Sequence, residues 1–124
     1  MRYKVLGRTG IKVSAISCGS NALRTYTQET ANSVLNYALD KGVNFIETGR
    51  PYGPTEEMIG QAVSHRRDEF SIAAKTVLLS FEEVKREVDL SLKALRTDYI
   101  DLYEIIFNRK EEMDKLLGLK GGLE

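Results

Sequence analysis

Residues 42–63 read GVNFIETGRPYGPTEEMIGQAV, and the order of residue types in this stretch sets the reading of the whole chain. Val43 to Ile46 is a short apolar run of strand type, bounded by the turn formers Gly49, Pro51, Gly53 and Pro54. A helix follows. Thr55 is its expected cap, Glu56 and Glu57 place negative charge at its positive pole, and Met58, Ile59, Ala62 and Val63 fall on one buried stripe. The same strand-then-helix rhythm extends in both directions. Upstream, Ala15 to Cys18 reads as a strand stopped by Gly19. Ala31, Val34, Leu35, Ala38 and Leu39 then recur at helical spacing, with Thr25 or Thr27 as cap and Lys41-Gly42 as terminator. Downstream, residues 65–68 (His-Arg-Arg-Asp) form an exposed return, and Phe70 to Lys75 is the next strand. Ser80 and Glu83 have capping-box spacing before a helix that presents Val84, Val88, Leu92 and Leu95 on one face. Arg96-Thr97-Asp98 turns the chain into a strand over Tyr99 to Phe107. A short helix from Glu111 to Leu117 comes last, and Gly118, Gly121 and Gly122 are expected to loosen the end. Before all of this, Tyr3, Val5 and Leu6 run into Gly7-Arg8-Thr9-Gly10 and out through Ile11 and Val13, the pattern of a β-hairpin.

About four βα units in succession imply an α/β fold with parallel pairing through helical crossovers. A small doubly wound sheet and an incomplete (β/α) barrel both fit that rhythm. Composition narrows the function classes. Eighteen basic and 18 acidic residues among 124 give no net charge, so the chain lacks the basic excess that would suit nucleic acid or an anionic membrane surface. Its apolar runs fall far short of the roughly 20 residues needed to span a bilayer, and residues 1–10 contain no apolar signal core. The reading is a cytoplasmic protein. One cysteine, Cys18, and one histidine, His65, exclude an internal disulfide and a Cys- or His-rich metal site within these residues. Cys18 at a strand end reads as a small structural thiol, and His65, among charged neighbours, as a surface imidazole.

In parallel α/β folds, functional groups collect at the carboxyl ends of strands. Standing there are Gly19, Ser20 and Asn21, then Glu47, Thr48 and Tyr52, then Lys75, then Glu104, Ile106 and Asn108. A phenol, an ammonium and a carboxylate suit protonation of a carbonyl oxygen as hydride arrives from a nicotinamide. The ammonium favours the ionised phenol, and the carboxylate holds the ammonium. Spacing alone also allows a plainer reading, in which Tyr52 is a turn aromatic and Lys75 and Glu47 are surface charges. A dinucleotide-binding Gly-x-Gly-x-x-Gly, a phosphate-loop Gly-Lys-Ser/Thr and a Gly-x-Ser-x-Gly elbow are all lacking.

Taken together, residues 6–20 (LGRTGIKVSAISCGS), 42–63, 71–76 (SIAAKT) and 95–105 (LRTDYIDLYEI) resemble the N-terminal half of the aldo-keto reductase family. The family motif Asp-Thr-Ala-x-x-Tyr-Gly, with an acidic helix start and Gly after it, is matched by Glu47-Thr48-Gly49-Arg50-Pro51-Tyr52-Gly53 with Glu56, Glu57 and Gly60. The resemblance implies the first half of a (β/α)8 TIM barrel closed at its bottom by the N-terminal hairpin. It also implies NADPH-dependent reduction of a small aldehyde or ketone. Tyr52 then matches the proton donor, Lys75 the lysine that assists it, and Glu47 the family's aspartate, one methylene longer. Ile106 stands where the family places a histidine that orients the carbonyl, and an isoleucine cannot hydrogen-bond. Glu104, two residues earlier on the same strand face, is assigned no substitute role. Gly19, Ser20 and Asn21 are the expected cofactor neighbours. Residues 19–42 are also similar to family members that carry a C-terminal ferredoxin-like iron-sulfur domain, of which these residues contain nothing. A complete barrel takes about 250 residues. Weak or absent turnover is therefore expected of this chain alone, with a non-enzymatic half-barrel remnant or interaction module as the alternative. The two unpaired sheet edges imply self-association or a complementing half-barrel chain.

Overall fold

The computed structural model describes residues 1–118 and 121–122. Strand β1 (Tyr3–Val5) pairs antiparallel with β2 (Lys12–Ser14), Tyr3 opposite Ser14 and Val5 opposite Lys12. Gly7 and Gly10 take positive φ in the connecting turn, which is why glycines stand there. Asn44 fastens the hairpin to the main sheet: its Oδ1 accepts from the Ser14 amide at 2.6 Å and its side-chain amide donates to the Lys12 carbonyl at 2.8 Å.

The main sheet is parallel, in the order β3 (Cys18–Gly19), β4 (Phe45–Glu47), β5 (Ser71–Thr76) and β6 (Leu102–Ile105). Helices α1 (Gln28–Asp40), α2 (Thr55–Val63) and α3 (Phe81–Leu95) connect successive strands, and α4 (Lys110–Leu117) follows β6. The register sets Gly19 beside Glu47 and Lys75 beside Glu104. Period-two alternation then separates two faces. Ile46, Ile72 and Ala74 pack into a core with Leu35, Leu39, Ile59, Val63 and Leu95 from the helices, while Glu47, Lys75 and Glu104 occupy the other face. Helices α2 and α3 meet at Gly60, where a Cβ would collide with the Ala94 carbonyl and lie 3.1 Å from the Leu95 Cα. No helix among the described residues is long and apolar enough to cross a membrane.

The structure moves several expected boundaries. Thr27, not Thr25, caps α1, accepting from the Thr30 amide at 3.2 Å. Pro54 is the N-cap of α2, and Thr55 is its first residue, buried with its hydroxyl 3.1 Å from that of Thr48. Ser80 does precede α3, but its hydroxyl bonds the Glu83 carboxylate instead of a backbone amide. The last strand is shorter than the apolar run 99–107, because Tyr99 and Ile100 belong to a turn held by Thr97 and Arg67. The terminal glycines are not loose throughout: Gly121 is buried and bridges Ser80, and the Gly122 amide donates to the Leu79 carbonyl at 2.8 Å.

The return after α2 is a clasp as much as a surface turn. Arg67 donates to Asp101 Oδ2 at 2.6 Å and to the carbonyls of Phe70 and Tyr99, and the same Asp101 oxygen accepts from the Ile72 amide at 2.8 Å. Asp101→Ala strips a half-buried guanidinium and a buried amide of one acceptor, at a cost of about 2 kcal/mol. Urea unfolding should show a lower midpoint at unchanged slope, with Asp101→Asn intermediate.

Candidate active site

Three strand ends bring the site together. Strand β4 delivers Glu47, β5 delivers Lys75 and β6 delivers Glu104, all at the carboxyl edge of the sheet. The chain after β4 has to pass close over β5. Gly49 permits this, because a Cβ there would overlap Lys75 Cγ and lie 2.9 Å from the Lys75 carbonyl oxygen. Arg50–Tyr52 then form a single 3-10 turn with Pro51 in it, and Gly53 reverses the chain at φ +69° into α2. This turn returns Tyr52 over the strand ends. Its hydroxyl donates to Glu47 Oε1 at 3.0 Å. The Lys75 ammonium contacts the same Glu47 oxygen, reaches Glu104 Oε2 at 3.5 Å and lies 5.5 Å from the centre of the Tyr52 ring.

Glu47, Tyr52 and Lys75 thus meet as one cluster, with one Glu47 carboxylate oxygen shared by phenol and ammonium. Partial burial pulls the Lys75 ammonium toward its neutral form, but Glu47, the Tyr52 hydroxyl and the Glu104 charge outweigh burial and leave its pKa raised. The cation is therefore firmly held at neutral pH. Sequence reasoning left Glu104 outside the cluster. Its signal was the period-two alternation that puts it on the Lys75 side of the sheet, in register with Lys75 across the ladder.

The expected cofactor neighbours separate. Gly19 is exposed beside Glu47, with nothing nearer to a Cβ at that position than Glu47 Oε2 at 3.6 Å, and Asn21 is exposed at the start of a 3-10 turn. Ser20 is fully buried. Its amide donates to the Glu47 carbonyl at 2.9 Å, and its hydroxyl is buried without a partner, so it presents nothing to a ligand on the open face. Ile106, half-buried after β6, offers only apolar surface, and its amide is taken by the Thr76 carbonyl. Cys18 packs half-buried against the core, and burial pushes its thiol up. His65 is exposed.

A second polar group centres on Glu56, which the sequence marks only as an acid in the first turn of α2. Glu56 is completely buried: its carboxylate accepts from Arg50 at 2.8 Å and from the Ser91 hydroxyl at 2.9 Å. Burial raises its pKa despite these two donors. The Tyr103 hydroxyl is buried without a hydrogen-bond partner. Burial, together with the charges of Glu87 and Glu56, pushes its pKa up to about 12.

Residues 15–112 match the model of the aldo/keto reductase family. The chain belongs to that family. The aldo-keto reductase YhdN of Bacillus subtilis is 33% identical over an alignment that covers 85% of this chain and 38% of the relative. An aldo-keto reductase from Bacillus halodurans superposes with a TM-score of 0.85 at 27% identity, over 93% of this chain and 43% of that one. One from Klebsiella pneumoniae, solved in complex with NADPH, gives 0.76 at 25% identity, over 94% and 46%. The chain thus spans less than half the length of each of these aldo-keto reductases. Its four parallel strands with their helices are half of a (β/α)8 barrel, and the hairpin precedes them.

Proposed function

We propose that this chain supplies the proton-donating half of an NADPH-dependent reductase acting on a small aldehyde or ketone. The observation that carries the reading is the meeting of the Tyr52 hydroxyl and the Lys75 ammonium on one carboxylate at adjacent strand ends, within an oxidoreductase family. A bound nicotinamide would supply the hydride. The protein's share of the work is the proton: Tyr52 turns its O–H from Glu47 Oε1 to the carbonyl oxygen, where negative charge develops. Lys75 compensates the phenolate left behind, and Glu47 and Glu104 fix the position of Lys75. The residues present fit the reacting end of such a cofactor. Gly19 is exposed and presents no side chain beside Glu47, and Asn21 adds an exposed amide. Neither supplies a cation for phosphates. The cytoplasm, where NADPH is available, suits this reading.

Three observations favour a second reading, a non-enzymatic half-barrel that acts through its edges. The Tyr52 hydroxyl is already engaged as a hydrogen-bond donor to Glu47, and Ile106 leaves a carbonyl without its orienting hydrogen bond. Among the described residues, strands β3 and β6 are each paired on one side only, which offers places for a second copy or a complementing half-barrel. Fluorescence titration of NADPH into the purified chain separates the two. Saturable binding in the micromolar range, followed by carbonyl-dependent loss of NADPH absorbance, supports the reductase. No saturation, alone or with a complementing half-barrel, would leave the second reading.

A further inference from the structure

The charge balance around Lys75 carries a consequence for substrate choice, and it rests on the carbonyl-reducing reading given above. Lys75 is shared between Glu47 and Glu104, so one ammonium faces two carboxylates on the open side of the sheet. Among the described residues, Arg24 and Arg109, the cations that follow β3 and β6, pair with neither carboxylate. Lys75 is 12% exposed and doubly engaged, whereas Glu104 is 43% exposed. Glu104 and Lys75 lie level across the ladder, so a carbonyl at the Tyr52 hydroxyl stands beside two carboxylates and a single ammonium. Ile106, two residues beyond Glu104, adds an apolar wall and no donor.

We infer that Glu104 is a charge filter for the carbonyl substrate: it admits neutral and cationic aldehydes and ketones and disfavours those that carry a carboxylate near the carbonyl. At a partly solvated separation of about 6 Å, two like charges weaken binding by about fivefold to tenfold at low ionic strength. Added salt shrinks the difference. Glu104 is thus a specificity residue, and Tyr52 remains the proton donor.

The test is a set of saturation-transfer NMR titrations of the full chain with three acetophenones of similar size, carrying a para carboxamide, a para carboxylate or a para trimethylammonium group. The carboxamide and the cation are expected to bind at least about fivefold more tightly than the carboxylate at low salt, with the gap falling to about twofold in half-molar salt. Glu104→Gln, isosteric at a partly exposed position, should close the gap without salt. Equal binding of carboxamide and carboxylate by the parent chain, or a gap that survives both salt and Glu104→Gln, overturns the filter while the carbonyl site stands. Failure of the neutral ketone to bind at all removes the carbonyl site, and the filter with it. The salt series needs no variant, so the test does not depend on Glu104→Gln folding.

Discussion

Tyr52→Phe is expected to lower carbonyl-dependent NADPH oxidation by about a thousandfold, the largest functional effect of any single substitution in the chain. The change removes one oxygen. In its place the developing alkoxide has only water to draw a proton from, because Ile106 offers none and the Lys75 ammonium is engaged by Glu47 and Glu104. The loss should appear in kcat and in kcat/KM together, the mark of an interaction made in the transition state. Stability should hardly move, since Glu47 keeps its contact with Lys75 and forgoes one hydrogen bond worth about 1 kcal/mol. Turnover within threefold of the parent, measured with any complementing half present, would remove Tyr52 as the donor.

Glu56→Ala is expected to cost about 3 kcal/mol of stability, the largest structural effect. It empties a fully buried position, leaves the Ser91 hydroxyl without its acceptor and takes from Arg50 its nearest carboxylate, with Glu57 remaining at 3.5 Å. Glu56 also has a pH signature of unusual sign. Because burial raises its pKa in the folded chain, the folded state takes up a proton here before the unfolded chain does as pH falls. Its contribution is fully present below the unfolded carboxylate value and declines as pH rises through the folded one. Glu69 and Glu83 run the other way. Arg66 lowers the pKa of Glu69 and the Ser80 hydroxyl that of Glu83, so their contributions are present above the unfolded value and are lost as pH falls. Denaturant unfolding of Glu56→Gln and of the parent across the acid range isolates the first effect. The difference between the two should vary with pH in the direction given, and a difference independent of pH would contradict a raised Glu56.

How far the sequence discloses the molecule depends on the range of the interaction involved. Local patterning located the hairpin, all four helices and the last three parallel strands, whereas the first, expected over Ala15 to Cys18 and stopped by Gly19, is Cys18–Gly19 with residues 15–17 outside it. Strand ends were less legible: Tyr99 and Ile100 are as apolar as β6, and only the hydrogen bonds of Arg67 and Thr97 exclude them from it. The burial of Glu56 was not legible, for a similar reason. An acid in the first turn of a helix is ordinarily solvated, and nothing local shows that Arg50 folds back over it while Ser91 approaches from α3. In the site, the meeting of Tyr52 with Lys75 depends on a close passage at Gly49 that spacing does not encode. The family motif pointed to the pair, whereas Glu104 became visible only through its register with Lys75.

The contact at Gly60 bears on how Tyr52 can move. With no side chain between them, α2 and α3 are pressed backbone to backbone, and α3 is packed in turn on β5, which carries Lys75. Helix, neighbouring helix and strand thus behave as one block, with β4 joined to it through the sheet ladder. The span from Gly49 to Pro54 is slung between two fixed anchorages. It is tied within as well, by Arg50 on Glu56 and by the Tyr52 amide on the Gly49 carbonyl, so the turning of the Tyr52 hydroxyl from Glu47 toward a carbonyl, as proposed above, falls to the phenol's own bonds and not to the backbone.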